Sequence, residues 1–340
     1  MHRLGWRASV SVGAVLLALA LVFPAVEFTR ARLDAPERAS GGASRLYDHV
    51  FLIVEENGEA STILDNARLP TLNALADQYG LATQYFATIH PSEGNYVAML
   101  GGDSYNIRDD DSYRTHAVEQ PSVLDQLDEA GLTWGGYFQA QPSAGFDGDC
   151  YPRDDLCLYA SKHNGFLNFV SVQERADQRA RLRPDSQLGP DLVTGAAPNV
   201  AVIVPDQCHD LHGLPGVCSG DSMRWQTDAY LKATIDEIMS SQMWQTGRNA
   251  IVITFDEGGT DQGCCGTDPG GGKVVAVVVR NGAPERIRDD TPYNHYALAA
   301  TLQRAFGLGC QFHGQPVGRT CDASSGIRPM APLFGLQATD

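Results

Sequence analysis

Short, continuous apolar runs recur along this chain, and several are closed by an acid or an amide. Val50-Phe51-Leu52-Ile53-Val54 runs into Glu55-Glu56-Asn57, and the run over 250–255 into Asp256-Glu257-Gly258-Gly259. Runs of this length and composition read as strands buried on both faces. Residues 133–139, 200–204 and 274–279 give further strands. Between them the period changes to that of a helix. Residues 70–79 start with Pro70, carry Leu72, Leu75 and Ala76 on one face, and have Gly80 beyond their end. A second helix is predicted from near Asn95 through Tyr96, Met99 and Leu100 to Gly101-Gly102, and a third over 122–129. Leu231, Ile235, Ile238 and Met239 form a helical stripe, and 295–306 form a last helix stopped by Gly307. The Gly-, Pro- and Asp-bearing residues 141–156 read as loop.

Strands alternating with helices mean an α/β fold, a mostly parallel sheet covered by helices on both faces. Carboxylates that follow successive strands then collect at one edge, where open parallel sheets bind ligands. Besides the two stretches above, that edge would gather His90-Pro91-Ser92-Glu93-Gly94-Asn95-Tyr96 and Asp206-Gln207-Cys208-His209-Asp210-Leu211-His212. One shared active site is the expectation.

The amino terminus changes the picture. Arg3 and Arg7 precede an uncharged stretch over 8–26, which reads as a signal peptide or a retained membrane anchor, so the protein is expected to be exported. Residues 27–46 lack apolar periodicity and read as a linker, leaving 47–335 as one domain. The eight cysteines all follow the export segment, and an even number in an exported chain points to disulfides. Cys150 with Cys157, Cys208 with Cys218 and Cys310 with Cys321 are close pairs, whereas adjacent Cys264 and Cys265 either bond each other or reach separate partners. No Cys-x-x-Cys favours zinc. A net charge of −16 argues against nucleic acid, so an anionic substrate needs local positive charge. A metal ion and Lys162 are the available sources.

Taken in order, Glu-Glu-Asn at 55–57, His-Pro-Ser-x-x-Asn-Tyr at 90–96, Lys-His-Asn at 162–164, Asp-x-His at 210–212, Asp-Glu-Gly-Gly at 256–259 and Asn-His-Tyr at 294–296 resemble the bacterial phosphoesterase family. That family holds secreted acid phosphatases and phospholipases C, within the alkaline phosphatase superfamily. Motif wording is most similar to the small secreted acid phosphatases, some of which act on phosphoinositides such as phosphatidylinositol 3-phosphate. The resemblance implies a three-layer α/β/α fold of alkaline phosphatase type, and a small-molecule or lipid phosphoester as substrate.

It also implies roles. Ser92 sits at a helix amino terminus, where N–H groups and the helix dipole favour an anion; read alone it is a capping serine, and by resemblance a nucleophile that forms a phosphoserine. Glu56, Asn57, Ser92, Asp256, Glu257 and Asp210 are the candidate ligands of a divalent ion, and oxygen donors favour Ca, Mg or Mn. Glu55 is expected to point away from Glu56 by strand alternation. His212 and His295 are the candidate catalytic histidines, with a structural cap the alternative for His295. Asp206 and His209 rank below Asp210 and His212. His90, Asn95, Lys162 and His163 are the candidate phosphate binders. The chain departs from the family at Gly94 and Gly165, where proline is usual, and at Gly58-Glu59.

The expected function is therefore an exported metal-dependent phosphomonoesterase. A phosphodiesterase of phospholipase C type and a non-catalytic metal- or phosphate-binding module are the alternatives. A Ser-His-Asp carboxylesterase is disfavoured by the lack of a Gly-x-Ser-x-Gly elbow.

Overall fold

The computed structural model describes residues 45–336, so the predicted export segment and nearly all of the linker lie outside the described residues. Its strands include β1 (His49–Glu55), β2 (Gly80–Phe86), β3 (Trp134–Phe138), β4 (Cys150–Arg153), β5 (Leu156–Ala160), β6 (Leu182–Pro184), β7 (Val200–Val204), β8 (Asn249–Phe255), β9 (Lys273–Arg280), β10 (Ile287–Asp289) and β11 (Tyr293–Asn294). All of these except the β4–β5 hairpin join a nine-stranded sheet in the order β10-β2-β9-β8-β1-β7-β3-β6, with β11 also on β2. Only β9 runs antiparallel to its neighbours, β2 and β8. The carboxyl ends of β1, β2, β7, β8 and β11 therefore share one edge, and each leads into a motif that the sequence singles out.

The central strands are apolar on both faces because both faces are covered. Val50 to Val54, Val200 to Val204 and Ala250 to Ile253 are buried throughout. The covering helices include α1 (Pro70–Gln78), α2 (Glu93–Gly101), α3 (Val123–Glu129), α4 (Gly220–Ser240) and α5 (His295–Ala305). Helix α2 packs with α3 and α5, and α1 with α4. Ser122 starts α3 with a reciprocal capping box to Asp125. The result is the expected three-layer α/β/α architecture.

The structure adds one strand and corrects one loop. Gly80 does not merely follow α1: it opens β2, pairing with Val278. Half-buried Thr83 and Gln84 lie at a register shift in that strand, which breaks the alternation a sequence reader relies on. Residues 150–153 and 156–160, the first of them within the expected loop, form the β4–β5 hairpin stapled by Cys150–Cys157. Disulfides also join Cys208 to Cys218, Cys264 to Cys265 and Cys310 to Cys321. Among the described residues no helix is long and apolar enough to cross a membrane.

Candidate active site

At the end of β1 the alternation of side chains separates two glutamates. Glu55 is buried without a hydrogen-bond partner, and its electrostatic neighbour is Asp228 on α4. Glu56 turns to the other face, toward α2. Asn57 then adopts a left-handed backbone with φ 52°, a conformation that asparagine tolerates better than most residues, and its N–H donates to Asp256 Oδ1 at 3.0 Å. Gly58 is required here, because a Cβ would lie 2.1 Å from the Phe255 ring. Glu59 accepts hydrogen bonds from the Gly259 N–H and the Thr260 hydroxyl, fastening the loop after β8.

Ser92 precedes α2 in helical backbone and makes no capping bond, so its hydroxyl serves something other than its own helix. It donates to Glu56 Oε2 at 3.3 Å, while the Asn57 side-chain amide donates to the same oxygen at 3.2 Å. Tyr96, one turn along α2, donates its hydroxyl to Glu56 Oε1 at 2.7 Å. A single buried carboxylate thus gathers the serine, the asparagine and the tyrosine.

Around it the structure concentrates negative charge. Glu56, Asp210 and Asp256 are fully buried, and the Asp210 carbonyl accepts the Glu56 N–H at 2.7 Å. Burial first, and then repulsion from Asp256 and Asp210, holds the Glu56 carboxyl well above its ordinary range. Asp256 is pushed up to about 7 by burial and Glu257, against the opposing pull of the Asn57 N–H and Ser92. Asp210 Oδ2 and Asp256 Oδ2 have no hydrogen-bond partner. Buried carboxylates with orphaned oxygens are what a cation relieves, so these residues fit a divalent ion.

A second donor combination exists. Ligand atoms of Glu56, His163 and His212 lie within 4.8 Å of one another. The oxygen set is the better fit, because His212 Nε2 already faces the Lys162 ammonium at 3.2 Å, and a cation there would meet another cation. His212 Nδ1 lies 2.8 Å from the Gly213 carbonyl and so donates, which leaves Nε2 to accept from Lys162. Burial and then Lys162 lower its pKa, leaving it neutral. His163 is buried in the 3-10 turn Ser161–His163 and stacks on the Tyr96 ring with centroids 5.4 Å apart. Its Nε2 lies 3.2 Å from Glu56 Oε1 and its Nδ1 3.5 Å from Asp210 Oδ2. Burial and the adjacent Lys162 keep it neutral.

Three sequence assignments are displaced by this geometry. His90, expected to meet phosphate, has both ring nitrogens engaged: Nδ1 with Glu257 Oε2 at 2.7 Å and Nε2 near the Thr260 carbonyl at 3.0 Å. It orients Glu257, whose hydrogen bond raises the His90 pKa to about 9. Asn95, expected to donate to phosphate, is fully buried and clamps the loop before the serine. Its Oδ1 accepts from Thr88 N–H, Thr88 hydroxyl and Ile89 N–H, and its amide donates to the Ile89 carbonyl. His295, expected to be catalytic, donates Nε2–H to the Asp256 carbonyl at 2.6 Å and accepts the Tyr85 hydroxyl at Nδ1. Nor is it the helix cap named as its alternative: Asn294 caps α5, accepting from the Tyr296 and Ala297 N–H groups, and His295 ties the helix to β8.

Other residues take parts that their sequence positions do not signal. Glu93, next to the serine, is buried against His116 at 2.9 Å and Asn168. Asp110, from an acidic run that looks like solvated charge, reaches Lys162 at 2.9 Å. The lower-ranked pair, Asp206 and His209, bond each other at 2.8 Å within their loop.

A model of the Phosphoesterase family matches residues 47–309. The phosphate-repressible acid phosphatase of Penicillium chrysogenum is 29% identical over 308 residues, 87% of this chain and 70% of that protein. The phosphatidylinositol-3-phosphatase of Mycobacterium tuberculosis is 27% identical over 270 residues, 77% of this chain and 78% of that one. In fold, a Vibrio parahaemolyticus protein of the alkaline phosphatase superfamily superimposes with a TM-score of 0.54 at 13% identity, over 82% of this chain and 71% of its own.

Proposed function

The chain belongs to the phosphoesterase family and is a phosphoric ester hydrolase; within that class we propose an exported, metal-dependent phosphomonoesterase of acid phosphatase type with Ser92 as nucleophile. The observation that carries this reading is the Ser92 hydroxyl, uncapped at the amino end of α2 and hydrogen-bonded to Glu56 among buried carboxylates. Glu56, Asn57, Ser92, Asp256 and Glu257, with Asp210 beside them, would hold a divalent ion. Such an ion supplies charge neutralisation at the phosphoryl group and a lower serine pKa.

Ser92 Oγ, its proton lost to solvent under that lowered pKa, attacks phosphorus from the position in which Glu56 Oε2 holds its hydroxyl. The bond from phosphorus to the leaving oxygen breaks as the phosphoserine forms, and water then releases inorganic phosphate. Lys162 and His212, joined at 3.2 Å, face this region as one protonated pair and supply the proton for the leaving oxygen. The positive charge of Lys162 is what the surrounding acidic field lacks. His90, Asn95 and His295 act on this machinery indirectly, by holding Glu257, the Thr88–Ile89 loop and the Asp256 backbone, and His163, buried away from an incoming phosphate, packs its ring on Tyr96 beside Glu56.

The substrate class is a small-molecule or lipid phosphomonoester. Its lipid half draws on the mycobacterial relative, whose name gives it a phosphoinositide substrate. Export is supported by the four disulfides, which persist in oxidising compartments. Residues 47–335 are read as one domain because one sheet runs through them.

The test is turnover of a chromogenic phosphate monoester and the matching diester by native protein and Ser92→Ala, with divalent ions controlled. Ser92-dependent, chelator-sensitive monoester turnover is expected. Diester-only turnover would move the function to a phospholipase C type. Monoester turnover that survives both chelation and Ser92→Ala would end the proposal.

A further inference from the structure

One carboxylate at the mouth of the site occupies two donors at once. Asp110 Oδ2 accepts from Lys162 Nζ at 2.9 Å, and Asp110 Oδ1 accepts the Glu93 backbone N–H at 3.1 Å. Glu93 N–H is the first backbone donor after the nucleophile, at the amino end of a nine-residue helix. Lys162 is the positive charge that the proposed function sets beside the phosphate and its leaving oxygen. These are donors that a phosphoryl group on Ser92 would draw on.

The chain is built to allow this contact. Asp110 arrives on the loop after α2, which folds back over the start of that helix at Gly94. A Cβ at Gly94 would lie 2.7 Å from the Ile107 carbonyl oxygen and 2.9 Å from Ile89 Cγ2, so only glycine lets the loop lie there. Asp110 and Lys162 side chains are 25% and 22% exposed, which keeps the pair within reach of an incoming ligand.

We propose that Asp110 is a specificity-determining residue: an internal anion that holds the Lys162 and Glu93 donors and yields them to substrate, thereby setting the affinity for phosphate monoesters and for product phosphate. The proposal rests on the phosphomonoesterase reading above. If Asp110 instead served only to position Lys162, removing its charge would weaken phosphate binding, so the two roles differ in sign.

The experiment measures KM and kcat for a chromogenic monoester, and inorganic phosphate binding by calorimetry, on the full chain. Asp110→Asn should lower both KM and the phosphate Kd by about fivefold, the scale of one partly exposed ion pair. Asp111→Asn removes the same charge from the neighbouring exposed position and should change neither. In a Lys162→Ala background Asp110→Asn should give no gain. Asp110→Ser serves as a second variant should the asparagine perturb folding. A phosphate Kd that stays constant or rises in Asp110→Asn, or an equal fall in Asp111→Asn, overturns the proposal. Native protein that neither binds phosphate nor turns over monoester removes the underlying phosphomonoesterase reading instead.

Discussion

His295 Nε2 donates to the backbone carbonyl of Asp256 at 2.6 Å, tying the start of α5 to the carboxyl end of β8. The ring is fully buried, and its other nitrogen accepts from Tyr85, so the folded protein has no room for a second ring proton. Burial lowers its pKa from 6.5 to about 4, against a smaller opposing pull from the Asp256 carbonyl.

The sign of the consequence follows from which state binds the proton. Below pH 6.5 the unfolded chain protonates this histidine and the folded chain does not, so stability falls as pH drops toward about 4. The full contribution is present above pH 6.5 and amounts to about 3 kcal/mol across the window. His295→Gln, which cannot titrate, should flatten the stability profile between pH 6.5 and 4 relative to native protein. Urea unfolding at several pH values reads this directly, and parallel profiles for the two proteins would refute the assignment.

Asn95 separates a structural from a phosphate-binding role. Asn95→Ala leaves the buried Thr88 and Ile89 N–H groups without the acceptor they share, at a loss of about 3 kcal/mol. The loop from Thr88 to Ser92 loses its clamp, so kcat should fall together with the urea midpoint while KM holds. A raised KM with an unchanged midpoint would return Asn95 to the phosphate.

What could be read in advance, and what could not, divides along physical lines. β1, β7 and β8 are legible because both faces of each are buried, leaving uninterrupted apolar runs. Glu56 and Asp256 are legible because acids at the ends of such runs must share an edge. β2 escapes notice because Thr83 and Gln84 sit at its register shift. His90, Asn95 and His295 have the side chains that chemistry needs and stand in the right motifs, yet their hydrogen bonds go to Glu257 and to backbone groups of Thr260, Thr88, Ile89 and Asp256. Motif spacing places a residue near a site without fixing which way its side chain turns. Asp110 shows the converse: nothing local distinguishes it from Asp109 or Asp111, and only the crossing of its loop over Gly94 brings it to Lys162.

Tyr96 holds the central carboxylate from behind. Its hydroxyl donates to Glu56 Oε1, and its ring lies 16° from parallel to His163. Gly165 permits this packing, since a Cβ there would sit 2.5 Å from the Tyr96 backbone carbon. The Tyr96 hydrogen bond favours ionised Glu56 against the burial that favours its neutral form. Tyr96→Phe removes the donor and keeps the ring, so Glu56 should hold its proton more tightly and surrender it less readily to a cation. Loss of a partner that orients a ligand weakens metal affinity by about tenfold or more. Calorimetric titration of metal-free protein with Mg, Ca or Mn should show that weakening, and the thermal stabilisation given by the ion should shift to higher ion concentration in step. At saturating ion, KM for the monoester should match native protein. An unchanged titration midpoint would mean that Tyr96 supports the fold alone and leaves Glu56 indifferent to it.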